Sequence, residues 1–596
     1  MPAAAPDAAT GFTTFALSAH PAFAAGRIAP AALALAIAAA TLPALLAWNV
    51  SPSPTFLNQA LALALWGALV AVGAPASPGR GPWALWTALA LTAAAAAWSW
   101  GPGALPGSLA WSAIGLAAAA ALLAAAGAGM RRGGAGAALF AAFCWGWLVA
   151  GVLSALVALV QVFAPALADG DLIARSGFAG RAVGNLRQPN HLSTLLLWAC
   201  IATIALAELG RLPRRAAWPL LALLVFAVAL TGSRTGFVGA LLVGAWALAD
   251  GRLSRAGRGL ALAVPALFGL AWALLAVWAR LSEHALGAAS RSGEGDLSSS
   301  RFAIWSNTLA LIREQPWTGV GFGEFNLAWT LTPFPGRPTA FFDHTHNLPL
   351  HLLVELGLPL GAAVLALLVW ALWRGVARAR QAAGDAGTAA RAAMMFVLMV
   401  GLHSLLEYPL WYAYFLLPAA WAWGFALGGG VGAPAAAAAD GRASRAWAAG
   451  GIVLAVVAAA AVADYARVAA IFLARPGLAP LEQRIEAGRR SALFAHHADY
   501  ARVTAGGPER TPAATADFAR TVHYLLDTRL MIAWSRALAA EGRLDEARHV
   551  AARLREFRKP EAEAFFAPCK DAAGAADAFQ CQPPARPVHW RELLRG

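Results

Sequence analysis

About thirteen apolar runs divide this sequence, near 28–48, 55–75, 82–100, 108–128, 137–165, 191–209, 216–231, 235–250, 259–279, 347–373, 392–409, 411–428 and 449–470. Roughly 20 residues of α-helix cross the ~30 Å of a bilayer's hydrocarbon. There, each backbone N–H and C=O must be satisfied within its own segment, so runs of this kind are read as helices. Over 596 residues, 59% are hydrophobic and 13% charged, more apolar surface than a water-soluble domain needs. The expectation is an all-α, polytopic integral membrane protein of about thirteen transmembrane helices. The first run has no basic n-region and no A-x-A site before a soluble chain, so it reads as an anchor rather than a cleaved signal. Residues 1–27, rich in Ala and Pro, read as disordered.

The net charge of +14 would suggest a nucleic-acid partner in a soluble protein. Here the arginines flank the apolar runs, and no nucleic acid is expected. Lysine occurs only at Lys559 and Lys570, so the wealth of Arg and Ala also reads as genomic composition bias. Connections carrying Arg80, Arg131–Arg132, Arg211/Arg214/Arg215, Arg252/Arg255/Arg258, Arg374/Arg378/Arg380 and Arg442/Arg445 alternate with connections that have few or none. By the positive-inside rule the first set is cytoplasmic. The N-terminus is then cytoplasmic too, and segments 166–190, 280–346 and 471–596 lie on the outer face.

Residues 28–470 form the expected membrane domain. After residue 470 the composition changes, with fifteen of the 31 acidic residues. The segment 471–596 therefore reads as a small helical domain. Within it, Thr528–Ala540 and Leu544–Phe557 read as a helix hairpin, with Gly542 as the stop and Pro560 ending the second helix. The Ala-x-x-x-x-Gly-x-x-x-x-Ala string resembles half of a tetratricopeptide repeat, but one copy does not support an array. Cys144 and Cys200 fall in membrane spans and read as packing residues. Cys569 and Cys581 lie in the tail, where an oxidising compartment permits a disulfide that spacing alone does not establish.

The chemistry concentrates in the outer segments. Asp343-His344-Thr345-His346-Asn347-Leu348-Pro349-Leu350-His351 opens the run near 347–373, which goes on to carry Glu355. Titratable groups are costly near hydrocarbon and persist there for function. His346 is the candidate reactive group, since histidine's ordinary pKa suits proton transfer near neutral pH; a structural histidine is the bland alternative. Asp343 either orients a histidine or caps the helix, and His351 reads as a helix-face residue. Upstream, Gln188-Pro189-Asn190-His191 begins another run. Taken alone, it offers an N-cap asparagine and an interfacial histidine. Arg234 sits in a very short turn between two runs, where it either meets an anion or snorkels. Arg301 precedes Gly319-Val320-Gly321-Phe322-Gly323. Glu407-Tyr408-Pro409 precedes Trp411, Tyr412 and Tyr414, which read as an interfacial aromatic belt, with Glu407 placed to pair with an arginine.

Together these strings resemble the Wzy/WaaL superfamily of O-antigen ligases and polymerases. The carriers are His-Asn-x-x-Leu-x-x-x-x-Glu-x-Gly from His346, Arg-x-x-x-Trp from Arg301, and the Gly-Val-Gly-x-Gly string. Gln188-Pro189-Asn190-His191, Glu407-Tyr408-Pro409 and the tail string Arg490–Tyr500 are similar to the PglL-type protein O-oligosaccharyltransferases within it. The resemblance covers roughly residues 170–500. It implies a GT-C-like glycosyltransferase of the Gram-negative inner membrane with its site facing the periplasm, moving an oligosaccharide from undecaprenyl pyrophosphate to Ser or Thr of a periplasmic, pilin-like protein. No cofactor or metal is implied. His346, Gln188 and Tyr408 would be catalytic, and Arg234 and Arg301 would bind pyrophosphate through their planar donor forks. Asn190, His191, His344, Asn347 and Glu407 would support them. The rival readings are a ligase or polymerase with a lipid A-core or glycan acceptor, and a transporter. A transporter is disfavoured because the polar residues gather in outer loops rather than at mid-membrane on broken helices.

Overall fold

A computed structural model of the chain describes residues 29–282, 297–429, 441–505 and 513–594. The N-terminal 1–27 segment and part of the 280–346 segment lie outside the described residues. Each of the thirteen apolar runs is a helix. They are α1 (Pro30–Leu45), α2 (Phe56–Gly73), α3 (Trp83–Trp100), α4 (Gly107–Arg132), α5 (Gly136–Phe163), α6 (Pro189–Glu208), α7 (Arg214–Leu230), α8 (Arg234–Ala249), α9 (Arg255–Ser282), α12 (Leu348–Gln381), α13 (Gly384–Ser404), α14 (Ala413–Leu427) and α15 (Gly441–Ala469). Among the described residues, eight of these are long and apolar enough to cross a membrane, and α1, α8 and α14 are shorter apolar helices. The architecture is all-α and polytopic, with no strand among the described residues.

Burial separates the centre of the bundle from its rim. Of the most apolar window of α6, 94% is buried, against 28% in α9 and 22% in α15. So α6 is wrapped by its neighbours, while α9 and α15 keep apolar sides outward as lipid-facing helices do. Lipid tails are as apolar as leucine, so helices in a bilayer associate through close packing. Small residues permit that approach. A Cβ on Gly424 of α14 would meet the Ala124 carbonyl oxygen of α4 at 1.9 Å, and one on Gly127 would meet that of Trp421 at 2.1 Å.

Among the described residues, the segment between α9 and α12 contains two helices, α10 (Leu297–Glu314) and α11 (Phe325–Leu331). The tail adds α16 (Leu481–Arg489), α17 (Ala495–Thr504), α18 (Thr515–Thr521), α19 (Thr528–Ala540), α20 (Leu544–Glu556) and α21 (Ala572–Asp577). The hairpin read from the sequence is α19 and α20, and Gly542 between them has φ 78°, the left-handed conformation glycine adopts most readily. Cys569 and Cys581 are disulfide-bonded. The tail is not a separate body: Phe518, Trp534, Leu554 and Phe557 share one hydrophobic core with Ile304, Phe325, Trp329 and Phe342. His523 Nδ1 lies 2.7 Å from a Glu324 carboxylate oxygen, and Asn326 Oδ1 accepts from the Leu526 N–H at 2.8 Å.

One contact explains two of the glycine strings. Helix α12 is broken at Gly357, whose φ of 74° and ψ of 167° are non-helical. A broken turn frees carbonyls that must find donors elsewhere. Val320 N–H donates to the Val354 carbonyl at 2.8 Å, and Gly321 N–H to that of Glu355 at 3.1 Å. The fit is backbone against backbone. A Cβ on Gly319 would stand 2.5 Å from the Glu355 oxygen, and one on Gly357 would stand 2.4 Å from that of Trp317. Irregular backbone is tolerated at such depth where protein covers it. The break therefore does not expose a polar site; it anchors the Gly319–Gly323 loop, and α11 with it, to the N-terminal part of α12.

Candidate active site

The site begins with three helix starts. Gln188 is extended (φ −146°, ψ 125°), as a residue before proline must be. Its Oε1 accepts from the His191 N–H at 2.7 Å and caps α6. The alternative in which Asn190 is the cap is thereby corrected. Pro189 has a fixed φ and no N–H, which suits the first helical position, so the cap falls on Gln188 and the Asn190 amide is released. Asn190 Nδ2 instead donates to Glu407 Oε1 at 3.0 Å, and its Oδ1 accepts from Ser233 Oγ at 2.5 Å. Ser233 Oγ also accepts from the Gly236 N–H at 3.0 Å, capping α8. Asn347 caps α12, accepting from Leu350 N–H at 3.0 Å, and its Nδ2 donates to the Leu405 carbonyl at 3.1 Å. Three helix N-termini, each the positive end of a backbone dipole, are thus tied to one another or to the 405–412 connection.

Glu407 is the hub. It is buried just beyond the end of α13 and accepts hydrogen bonds from Asn190, from the Arg301 guanidinium and from His346 Nδ1, the last at 2.8 Å. Burial pushes its pKa up, but the His346 hydrogen bond and the charges of His346 and Arg301 outweigh it and hold the carboxyl at about 2. It is therefore ionised at any working pH. A proton on His346 Nδ1, inferred from this contact with a carboxylate, leaves a lone pair on Nε2, which has no hydrogen-bond partner among the described residues. The His346 backbone has φ 53°, a conformation that costs a non-glycine residue roughly 1–3 kcal/mol and collects at functional sites. Its neighbours hold it there: Trp305 Nε1 donates to the Thr345 carbonyl at 3.0 Å, and Thr345 Oγ1 donates to that of Asn347 at 2.7 Å.

A second layer stands behind it. His344 Nδ1 is 2.8 Å from Asp343 Oδ1. Burial raises the Asp343 pKa, and His344 more than reverses this, to about 2. The His344 ring stacks on Tyr408 at 4.3 Å, and Tyr408 meets the His346 ring edge-on at 5.1 Å. Burial, and then the Asp343 charge, push the Tyr408 hydroxyl far above its ordinary range, so it stays a neutral phenol. Within α12, His351 Nε2 lies 3.5 Å from Glu355 Oε2, both buried.

The interfacial histidine is corrected, and so is the aromatic belt at Tyr414, while Trp411 remains 37% exposed. Pro409–Trp411 is a 3-10 turn, and it rotates the following aromatics inward. Tyr414 is buried with its hydroxyl 3.2 Å from His191 Nδ1, and the Tyr412 ring is 4.6 Å from the same imidazole. Trp411 packs against His344 and His351 at 4.6 and 5.0 Å. His191 is only 3% exposed.

Asn190, Arg301, His346 and Glu407 are thus in direct contact, with His344, Tyr408 and Asn347 around them. Gln188 has its carbonyl engaged by the cap, and His191 packs behind Asn190. Arg234 is exposed at the first position of α8, next to Ser233, without an ion pair among the described residues. Sequence reasoning passed over Ser233, although it immediately precedes Arg234. It also passed over Tyr524, which the tail places against His496 and His497, within electrostatic range of Asp343.

Residues 219–365 match the O-antigen ligase family, residues 391–567 match the C-terminal region of virulence factor membrane-bound polymerases, and residues 182–207 match the protein glycosylation ligases. A general O-oligosaccharyltransferase of Acinetobacter baylyi is 32% identical over 249 residues, 40% of this chain and 43% of the relative. A ComP-specific O-oligosaccharyltransferase of the same organism is 25% identical over 294 residues, 47% of this chain and 50% of the relative. The chain thus spans half or less of the length of these curated relatives. The matched stretches hold Asn190, Arg234, Arg301, His346 and Glu407, so over those stretches the chain is similar to the O-antigen ligases, the membrane-bound polymerases and the protein glycosylation ligases.

Proposed function

We propose that this chain transfers an oligosaccharide en bloc from undecaprenyl pyrophosphate to a Ser or Thr hydroxyl of a periplasmic, pilin-like protein, at the outer face of the inner membrane. The observation that carries the reading is the Asn190–Glu407–His346 constellation, with Arg301, beside three helix N-termini. Glu407 fixes His346 so that Nε2 takes the hydroxyl proton as the oxygen attacks the anomeric carbon, the arrangement of a carboxylate-oriented general base. The bond from that carbon to the pyrophosphate oxygen breaks, and the leaving group takes the electron pair. Helix N-termini stabilise such an anion. Arg234, and the part of the Arg301 fork not used by Glu407, supply bidentate donors. Tyr408, kept neutral, serves as a donor at the rim, and the free amide of Gln188 offers a second contact to a hydroxyl or sugar.

The names of the two relatives favour a protein acceptor; the family match leaves a lipid A-core acceptor as the competing outcome. Reconstitution with lipid-linked oligosaccharide and both acceptors decides between them. Sugar on the pilin-like protein is expected. Sugar on lipid A-core alone would overturn the reading. Arg234→Lys and Arg301→Lys should each weaken donor use, because a lysine cannot reproduce the planar fork; unchanged donor affinity and turnover in both would remove these residues from the pyrophosphate site.

A further inference from the structure

A groove of about 490 Å³ opens between the α3–α4 connection and the tail, outside the cluster around Glu407. The membrane domain lines it with Trp100, Leu105 and Trp111, and the tail with Arg489, Ser491 and Arg520. Its size falls in the ~300–1,000 Å³ range of small-molecule sites, enough for a short oligosaccharide.

The two tryptophans end α3 and begin α4. Their ring centroids are 4.9 Å apart, and they are 41% and 47% exposed. Neither indole N–H has a hydrogen-bond partner among the described residues. Tryptophans at helix ends are what a headgroup belt supplies, but here the tail stands over them. A Cβ on Gly107 would meet the Trp100 indole nitrogen at 3.1 Å, so that glycine lets the ring lie against the start of α4. Opposite, the buried Asp499 carboxylate holds both arginines, Arg489 at 3.1 Å and Arg520 at 3.3 Å. Arg489 also pairs with Glu486 at 3.1 Å. Arg520 has no further ion pair among the described residues, and its side chain is 58% exposed. It is a fork held by one edge with donors to spare.

The groove is joined to the cluster. His496 Nδ1 is 3.0 Å from Ser108 Oγ, tying the tail to α4 at the groove wall. The His496 ring is 4.5 Å from Tyr524, which lies within electrostatic range of Asp343. A pyranose ring presents an apolar C–H face to an aromatic ring and a rim of hydroxyls to donors. Exposed indole faces, two unspent indole N–H groups and a steered guanidinium match that pattern, while the Ser491 hydroxyl is committed to Asp464 and the Phe494 N–H. A lipid tail would set hydrocarbon against the exposed Arg520 guanidinium, and an extended peptide would find no strand edge among the described residues.

We propose that this groove binds sugars of the lipid-linked donor beyond the one attached to pyrophosphate, so that it selects for donors carrying an oligosaccharide. The inference rests on the donor reading above. The test uses the full-length chain in nanodiscs and two donors, undecaprenyl pyrophosphate carrying one sugar or an oligosaccharide. Trp111→Ala and Arg520→Ala should each raise KM for the oligosaccharide donor about tenfold, near 1.4 kcal/mol, and leave kcat and the single-sugar KM unchanged. Trp111→Phe should restore most of the loss. An equal rise for both donors, or none for either, overturns the proposal. Calorimetric titration with the carrier-free oligosaccharide gives an arm that needs no turnover: binding to the wild type and its loss in Trp111→Ala supports the groove even if transfer to protein fails. No binding, together with a loss that tracks the anionic lipid content of the nanodisc, would assign the residues to lipid headgroups and overturn it.

Discussion

Glu407→Gln isolates what the hub does while preserving its shape. Glu407 accepts from three donors: Asn190 Nδ2, the Arg301 guanidinium and His346 Nδ1. A glutamine offers one acceptor oxygen and a two-proton donor in its place. If its oxygen faces Asn190 and Arg301, its NH2 points at His346 Nδ1. The imidazole then turns Nδ1 into an acceptor, moves its proton to Nε2, and loses the lone pair assigned to the acceptor hydroxyl. If its oxygen faces His346 instead, the NH2 stands against two other donors. Neither arrangement satisfies all three. Loss of a carboxylate that sets a catalytic tautomer costs up to ~10⁴ in kcat, and general base catalysis as a whole contributes ~10²–10⁴. The expected fall is thus at least ~100-fold, about 2.7 kcal/mol of barrier. The assay is single-turnover transfer to a pilin-like acceptor at saturating donor, with detergent melting temperature as the folding control. A well-folded Glu407→Gln protein with near wild-type turnover would refute the assignment of Glu407 and His346 together.

His346→Ala should express and insert normally and lose at least ~100-fold in transfer; near-normal glycosylation here, with loss in His344→Ala, would show that the other histidine reacts. Gly319→Ala and Gly357→Ala each combine a left-handed φ with a Cβ driven into backbone at 2.5 or 2.4 Å. Both should lower the melting temperature, since each adds roughly 1–3 kcal/mol of strain before any clash; wild-type melting in either would sever the loop–helix contact from stability. Burial pushes His496 well below its ordinary range and His497 and His549 down to about 4. Between about 4 and the ordinary 6.5 the unfolded chain binds protons that the folded tail refuses, so stability is full above 6.5 and falls as the pH drops through that window. Melting temperatures that match at pH 7.5 and 5 would contradict this. Glu407, with its depressed pKa, contributes stability that is full above the ordinary 4.5 and is lost as the pH falls from there toward about 2, so acid loss between pH 6.5 and 5 should persist in Glu407→Gln.

Sharing of the tail core has a practical consequence. Deleting the chain after about residue 475 would strip Phe518, Trp534, Leu554 and Phe557 from Phe325 and Trp329. Such a deletion reports on folding of the outer segment as much as on acceptor docking, so point substitutions are the cleaner probe.

The sequence alone determined the helical membrane class, because an unbroken apolar run has one economical way to satisfy its backbone in lipid. It determined where helices start, because proline and cap chemistry act over a few residues: Pro189 and Asn347 mark α6 and α12. It also singled out Asn190, Arg301, His346 and Glu407 as residue types out of place near hydrocarbon. Which of them touch was decided by tertiary structure. Glu407 meets Arg301 and His346 across 106 and 61 residues, and no local period encodes that. The shift of the α6 cap from Asn190 to Gln188 turned on one proline, but its consequence, a free amide aimed at Glu407, depended on where α13 ends. Tyr414 was misread as part of a belt because hydropathy sees a residue's type and not the direction a 3-10 turn gives it. The fusion of the tail with α10 and α11 lay furthest from view, since it depends on complementary apolar faces hundreds of residues apart, which only the folded chain brings together.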